Sequence, residues 1–388
     1  MFPFFRDKLH RIAFSAIALL LCACQNVPIS SLPAGQLDSP LSAVPTLRND
    51  AFSGLYEITV SLDGSSIFVA AINGFDKQNA GFIHRLDART LQSLQTVQLP
   101  RRSFALGLNN ATHTLYVGNT MEGSLSVVDA TSGVLKGQIQ LALPKKNDKG
   151  EETFAHTRKV IVDEMHNRVF VTSPGRPGLI WIVDGTTNTL THTITSEGIW
   201  TAGAAYDAAA NVLYVSQGGK DEILAIDPDA GKVVRTFSTG DSADNSPDGS
   251  KHFFINLVLD AKGQRLFATD ANTNQLYVLD LASGTFIQKM TIEGLGLLDV
   301  AFSAPRSEIY TTSRGVSRSQ PNDTGFVTVI DANTYAIKRR IDLPVHPNSL
   351  ALSPDGQTLY VTVKAPHGDS HPAWRKDAKD SVVRIDLR

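Results

Sequence analysis

One arrangement of apolar and small positions recurs seven times along the chain. A branched apolar residue is followed by an aromatic and then by a small or β-branched residue. The copies are Ile67-Phe68-Val69, Leu115-Tyr116-Val117, Val169-Phe170-Val171, Leu213-Tyr214-Val215, Leu266-Phe267-Ala268, Ile309-Tyr310-Thr311 and Leu359-Tyr360-Val361. Each is followed by a β-branched or Leu-rich run that closes on an aspartate: Asp87, Asp129, Asp184, Asp227, Asp280, Asp331 and Asp386. Turn signals such as Leu62-Asp63-Gly64 and Pro354-Asp355-Gly356 precede the aromatics, and short turns such as Ala130-Thr131-Ser132-Gly133 follow the aspartates. Every unit therefore predicts four short antiparallel strands. Runs such as Leu276-Tyr277-Val278-Leu279, apolar on both sides, predict sheets covered on both faces. Four strands at a period of roughly 43 to 55 residues predict the blade of a β-propeller, seven times over. An aspartate opening a turn accepts backbone N–H bonds from residues just beyond it, so the seven aspartates are predicted to be structural.

The last unit ends at Arg384-Ile385-Asp386-Leu387-Arg388, one strand short, while Pro45-Thr46-Leu47-Arg48-Asn49-Asp50 is a spare strand-length segment before the first unit. The fold class is thus an all-β seven-bladed propeller over residues 45–388, closed by an N-terminal strand that completes the last blade and removes exposed edges.

The segment before the propeller has a different pattern. Arg6, Lys8 and Arg11 precede the apolar stretch Ile12–Leu21, which is short for a membrane span and ends in Leu21-Cys22-Ala23-Cys24. This predicts a lipoprotein signal peptide over 1–23, cleaved before a lipidated Cys24, and a Pro/Gly/Ser tether over 24–44. Gln25 after that cysteine favours the outer membrane. Cleavage removes Arg6, Lys8, Arg11 and Asp7 from the 36 basic and 38 acidic residues, leaving 33 against 37, a net charge of −4. No intrachain disulfide is then available, so the core alone must hold the fold. The near-neutral balance predicts neither strong nucleic-acid attraction nor an acidic tail.

The units are irregular where the second strand passes to the third: Asn73–Asn79, Arg314–Asp323 and Ala365–Lys379 are polar insertions, and Lys145–His156 lengthens one connection between units. Units one, six and seven are neighbours across the closure, so their loops are expected to cluster, and added loops are where such scaffolds carry specificity. His367-Gly368-Asp369-Ser370-His371 has no metal-site spacing and reads as a solvated loop. No zinc-peptidase, haem-attachment, nucleophile-elbow or phosphate-loop motif is present, and no metal or cofactor is predicted. The residues that open the units predict a funnel around the central channel. The candidates are Arg102, Arg158, Trp200, His252, Phe253, His346 and Asn348. Cations, aromatics and amides there suit an anionic or aromatic ligand.

The repeats resemble the YVTN-repeat propeller family, and the whole body from about residue 46 to 388 resembles its YncE-type periplasmic propellers. The resemblance rests on Lys251-His252-Phe253-Phe254-Ile255-Asn256, on His346-Pro347-Asn348-Ser349-Leu350-Ala351-Leu352, on Ile180-Trp181-Ile182-Val183-Asp184-Gly185 and on Val383-Arg384-Ile385-Asp386-Leu387. It implies seven blades, export to the envelope, no established enzymatic activity, and an association with single-stranded DNA binding and with expression under iron limitation. The chain departs from that family in its lipoprotein signal and its negative mature charge. The expected function is a monomeric, non-catalytic envelope binding protein, anchored by lipid. Its ligand is a small molecule, an envelope protein or single-stranded nucleic acid. Alternatives are a propeller enzyme of lactonase or quinoprotein-like type and a structural or adhesive surface protein. Two ionisable groups within hydrogen-bond reach at the channel favour an enzyme, and a basic, aromatic rim favours binding.

Overall fold

A computed structural model describes residues 44, 46–75, 78–147, 149–247, 249–316, 324–366 and 371–388. The predicted signal peptide, Cys24 and nearly all of the tether lie outside the described residues, as do Pro45, His367–Ser370 and parts of the other two insertions. No described helix is long and apolar enough to cross a membrane.

Seven four-stranded antiparallel sheets make the blades, six of them built in chain order from the axis outward and the seventh in chain order for its first three strands only. The innermost strands are Leu55–Val60, Ser103–Asn109, Lys159–Asp163, Trp200–Asp207, Phe254–Asp260, Leu297–Ser303 and Pro347–Leu352. The recurrent aromatic phrases all lie in the second strands, most of which are buried from end to end. A strand buried on both faces needs apolar residues at successive positions, which is why its pattern is a run and not an alternation. The fourth strands, by contrast, alternate or are mostly exposed. The buried residues form seven apolar clusters, one at each seam between neighbouring blades.

The closure is as the sequence predicts. Thr46–Phe52 is the outer strand of blade 7 and pairs antiparallel with Asp380–Asp386, Thr46 opposite Ile385 and Phe52 opposite Asp380. Asp380 also accepts the Leu55 N–H at 2.8 Å, stapling blade 7 to the first strand of blade 1. The repeat aspartates behave as turn caps. Asp87 accepts the N–H groups of Arg89 and Thr90 at 3.0 and 2.7 Å, and Asp129, Asp184, Asp227 and Asp331 repeat this with their own second and third successors. These turns lie on one face of the disk. The loops between second and third strands, and the connections between blades, lie on the other.

A β-bulge interrupts the pairing of the first with the second strand in six of the seven blades. It falls at Tyr56-Glu57, Phe104, Ala202-Gly203, Ile255, Leu298-Asp299 and Asn348. Bulges re-aim side chains and bend a strand, and here they do so around the axis. Hydroxyls of the second strand satisfy several of the displaced amides: Thr312 accepts from Asp299 N–H at 2.9 Å, Thr362 from Ser349 at 3.1 Å and Ser216 from Gly203 at 2.9 Å. At Gly203 a Cβ would stand 2.5 Å from the Asn256 Cα, so the close approach of blade 5 requires glycine.

Candidate functional site

The axis carries charge. The bulge in blade 1 turns Glu57 inward, where it accepts from Lys159 Nζ at 2.9 Å, from Arg158 Nη1 at 3.4 Å and from the Leu106 N–H at 3.2 Å. Across the channel, the bulge of blade 6 presents Asp299, which accepts the Leu350 N–H at 2.8 Å. Burial raises the Asp299 carboxyl above its ordinary range, and the Lys159 ammonium only partly offsets this. Burial disfavours the charge on Lys159, but Glu57 and Asp299 outweigh it and hold the ammonium protonated. Lys159 keeps a fifth of its side chain accessible although it lies deep in the disk, because it faces a channel and not packed protein.

Above this group, on the face where the inner strands begin, three cations meet two aromatics. Arg158 lies over the Phe104 ring at 5.7 Å, and Lys364 Nζ lies over the Tyr56 ring at 3.8 Å. The two rings are 4.3 Å apart between centroids. Lys364 also donates to the Leu55 carbonyl at 2.7 Å and stands 3.7 Å from Asp380. Burial, aided by repulsion from Arg314 and opposed by Asp380, pushes the Lys364 ammonium down to about 8. Arg314 is destabilised as a cation by burial and by Arg158, and its buried Nε has no hydrogen-bond partner. Burial, with Asp380 adding to it, pushes the Tyr56 hydroxyl up to about 12, so it remains a neutral donor. Blades 1, 2, 3, 6 and 7 thus converge on a mouth that is aromatic at its wall and short of negative charge.

The sequence-predicted residues divide. Arg158 stands in this mouth. Asn348 sits at its edge, with Nδ2 3.5 Å from the Tyr56 carbonyl. His346, held at φ 67°, donates its N–H to the Arg314 carbonyl at 2.8 Å and so supports the loop that carries that guanidinium; its ring lies 6.4 Å from that of His371. Arg102 is on the same face, but its charge is taken up by an ion pair with Glu122 and by the Phe75 carbonyl at 2.8 Å. Trp200 and Phe253 pack on each other, 6.2 Å apart, at the seam of blades 4 and 5. His252 presents no surface to the funnel, being fully buried between Asp270 and Asp241, each 2.6 Å away. The described parts of the extended loops do cluster here: Phe75 of blade 1 lies against Tyr56 at 6.3 Å, Arg314 belongs to blade 6, and Lys364 and His371 belong to blade 7. The connection Lys145–His156 forms a small hairpin, Lys145–Lys146 with Glu152–Thr153.

Sequence reasoning placed Lys159 beside Arg158 at the opening of its unit, and missed Glu57, Asp299, Arg314, Lys364 and Tyr56. Two of them left a signal. Glu57 and Asp299 are carboxylates at the third position of otherwise apolar innermost strands, Leu55-Tyr56-Glu57-Ile58 and Leu297-Leu298-Asp299-Val300.

Protein YncE of Salmonella typhimurium is 33% identical to the chain over 359 residues, covering 92% of this chain and 96% of that protein. YncE of Escherichia coli strain K12 is also 33% identical, over 351 residues, with 90% and 93% covered. The chain belongs to the YncE family of seven-bladed propellers. A family model described as outer membrane protein assembly factor BamB matches residues 36–237, just over half of the chain. Among solved structures, the hydrazine synthase of Kuenenia stuttgartiensis superposes with a TM-score of 0.64 at 16% identity, covering 84% of this chain and 96% of that one. The WD40 repeats of RRP9 superpose at 0.63 and 15%, covering 90% and 98%. At such identities these two matches show the propeller fold alone.

Proposed function

We propose that this YncE-family propeller is a non-catalytic envelope binding protein whose channel mouth takes an anionic ligand that carries a planar group. The observation that carries this is the meeting of Arg158, Arg314 and Lys364 beside Tyr56 and Phe104, with the Arg314 Nε unpartnered. A buried cation without a partner is costly, and an incoming anion relieves that cost through charge-assisted hydrogen bonds. The aromatic wall supplies a stacking surface for a base or another flat group. Single-stranded nucleic acid is the member of this class that the YVTN resemblance raises. The acidic overall balance limits any such contact to the mouth itself. Family membership supports an envelope location, and the signal around Cys24 supports a lipid anchor at the outer membrane. A Cys24→Ser variant is expected to move from the membrane to the soluble fraction.

Fluorescence anisotropy with a labelled single-stranded oligonucleotide, competed with inorganic phosphate across a salt series, tests the reading. Three phosphate contacts give a log–log salt slope of about −2. Arg314→Ala is expected to weaken binding about tenfold, whereas Arg102→Ala, whose guanidinium is already paired, leaves it unchanged. An absence of binding of both probes at low salt sinks the proposal.

A second reading, a hydrolase of the lactonase kind, is favoured by Asp299, whose carboxyl is raised by burial while Lys159 and Glu57 stand by it on the axis. Turnover of lactones that disappears in Asp299→Asn, with ligand binding intact, would establish it.

A further inference from the structure

The buried environment of His252 is unlike that of the other histidines. Three carboxylates surround its ring. Nδ1 lies 2.6 Å from Asp270 Oδ2, and Asp270 Oδ1 is fixed in turn by the N–H groups of Phe253, Asn272 and Thr273 at 3.0, 2.9 and 3.1 Å. Asp270 holds a proton on Nδ1, while Nε2 faces a second carboxylate, so that an ion bound on that side takes the place of the Nε2 proton. On the Nε2 side stand Asp241 Oδ1 at 2.6 Å, Asp221 Oδ1 at 3.7 Å and the Thr239 hydroxyl at 3.3 Å. Asp221, His252 and Asp270 are buried, and Asp241 is about one-third exposed, which leaves one side open to solvent. Phe254 stacks on the imidazole and Tyr277 meets it edge-on, so the ring cannot turn away.

We propose that Asp221, Asp241 and His252 form a binding site for a divalent transition-metal ion of the zinc class, with Asp270 as the positioning residue behind the imidazole. The three ligand atoms lie within 4.8 Å of one another. Donors about 2.0–2.1 Å from a tetrahedral ion are separated by about 3.3 Å. The observed separations of 2.6 and 3.7 Å from Nε2 bracket that value, so a small movement of the partly exposed Asp241 opens the site. The donor set of one neutral imidazole and two carboxylates suits a borderline ion and neutralises it. A carboxylate on the far imidazole nitrogen is the usual outer support of a metal-ligating histidine. Solvent on the Asp241 side supplies the remaining ligand. Thr239 supports the geometry: its hydroxyl is 2.9 Å from Asp221 Oδ2 and 2.7 Å from Asp241 Oδ1, and its one hydrogen cannot serve both. Lys251 and Lys289, 3.0 and 3.4 Å from Asp241, are exposed cations that bind only the outer carboxylate.

The three ligands come from separate parts of the chain. Asp221 follows the second strand of blade 4, Asp241 lies in the connection from blade 4 to blade 5, and His252 closes that connection. No compact spacing marks such a set, so the sequence reading predicted no metal site. A bound ion would tie this long connection to the body of both blades. It is independent of the channel mouth.

The test uses the mature chain without a histidine tag, stripped with EDTA and dialysed against Zn²⁺, with bound metal measured by elemental mass spectrometry. About one equivalent is expected for the native chain and less than about 0.2 for His252→Gln. X-ray absorption at the zinc edge should show one nitrogen and the rest oxygen ligands. If His252→Gln fails to fold by circular dichroism, Asp241→Asn takes its place, since that side chain is partly in solvent, and it should lose the metal while keeping the fold. A native chain that holds no more zinc than the folded variant, or an absorption spectrum without an imidazole, overturns the proposal and leaves His252 as an imidazolium clamped by carboxylates.

Discussion

At the residue scale, the mouth is a balance between cations that converge and too few carboxylates to pair them. Glu57 is the main counterweight, and it sits below the mouth. Replacing it by Gln should act in two directions at once. The fold should lose about 2 kcal/mol, less than a fully enclosed pair would because Lys159 reaches the channel, as a denaturant titration would register. Anion affinity should rise, since Arg158 is released; equal or weaker anion binding by the variant would count against the site. Lys364 sets the pH dependence. Its ammonium is held near 8 by burial and Arg314, with Asp380 opposing and the neutral Tyr56 ring beneath it. A depressed pKa means that the ligand-free site keeps its third charge below about 8 and loses it above. Anion affinity should therefore fall roughly fivefold between pH 7 and 9. Lys364→Arg should abolish that fall, because a guanidinium does not titrate there; a pH slope that persists in this variant would assign the effect to another group. Arg158 and Asn348 were legible as mouth residues because they open their units. Arg314 and Lys364 were not, because they stand one residue past a buried strand, where pattern alone reads only a loop.

At the element scale, the second strands were the most legible part of the chain. Each is largely buried on both faces, so the apolar pair around its aromatic survives in all seven copies, even where polar residues follow it, as in Ile309-Tyr310-Thr311-Thr312-Ser313. Their neighbours complete the seam clusters. Trp181, in the third strand of blade 3, is fully buried in the cluster shared with blade 2. Trp181→Ala should cost about 3–5 kcal/mol by denaturant unfolding, and a loss below about 1 kcal/mol would mean that the seam can collapse around the cavity. The inner-strand bulges were invisible. A bulge is a property of how two strands pair, and nothing in Leu55-Tyr56-Glu57 announces that two residues will oppose one. Yet the bulges bring Tyr56, Glu57, Phe104, Asp299 and Asn348 to the axis. The same ignorance of pairing put His252 in the funnel: as an opening residue it is in the expected place along the chain, but Asp270 and Asp241 draw its ring into the interior.

At the scale of the whole molecule, the ring is held by a single strand from the other end of the chain. Val383, Ile385 and Leu387 belong to the cluster between blades 6 and 7, and the strand that carries the first two also anchors Thr46–Phe52. A variant ending at Val382 loses those three side chains and most of the closing register. At about 1.5–3 kcal/mol for each buried side chain, the melting temperature should fall by roughly 10 °C. Unchanged melting by differential scanning calorimetry would show that the closure contributes little. The two cysteines of the chain, Cys22 and Cys24, both precede the propeller, so this strand and the seven seams carry its stability without a disulfide.

Blade number and the role of the seven aspartates followed from the chain alone, because each depends on residues within a few positions of one another and repeats seven times; the place of the closure followed from the count, one unit short of a strand and one spare strand at the other end. The membership of the mouth and of the carboxylate–imidazole cluster was decided only by the tertiary structure. Blades 1, 2, 3, 6 and 7 contribute the side chains of the mouth, and those from different blades are separated by tens of residues or more in sequence. Whether they face it depends on bulges and on which partner satisfies each buried polar group, and those are properties of pairing between strands that no local pattern contains.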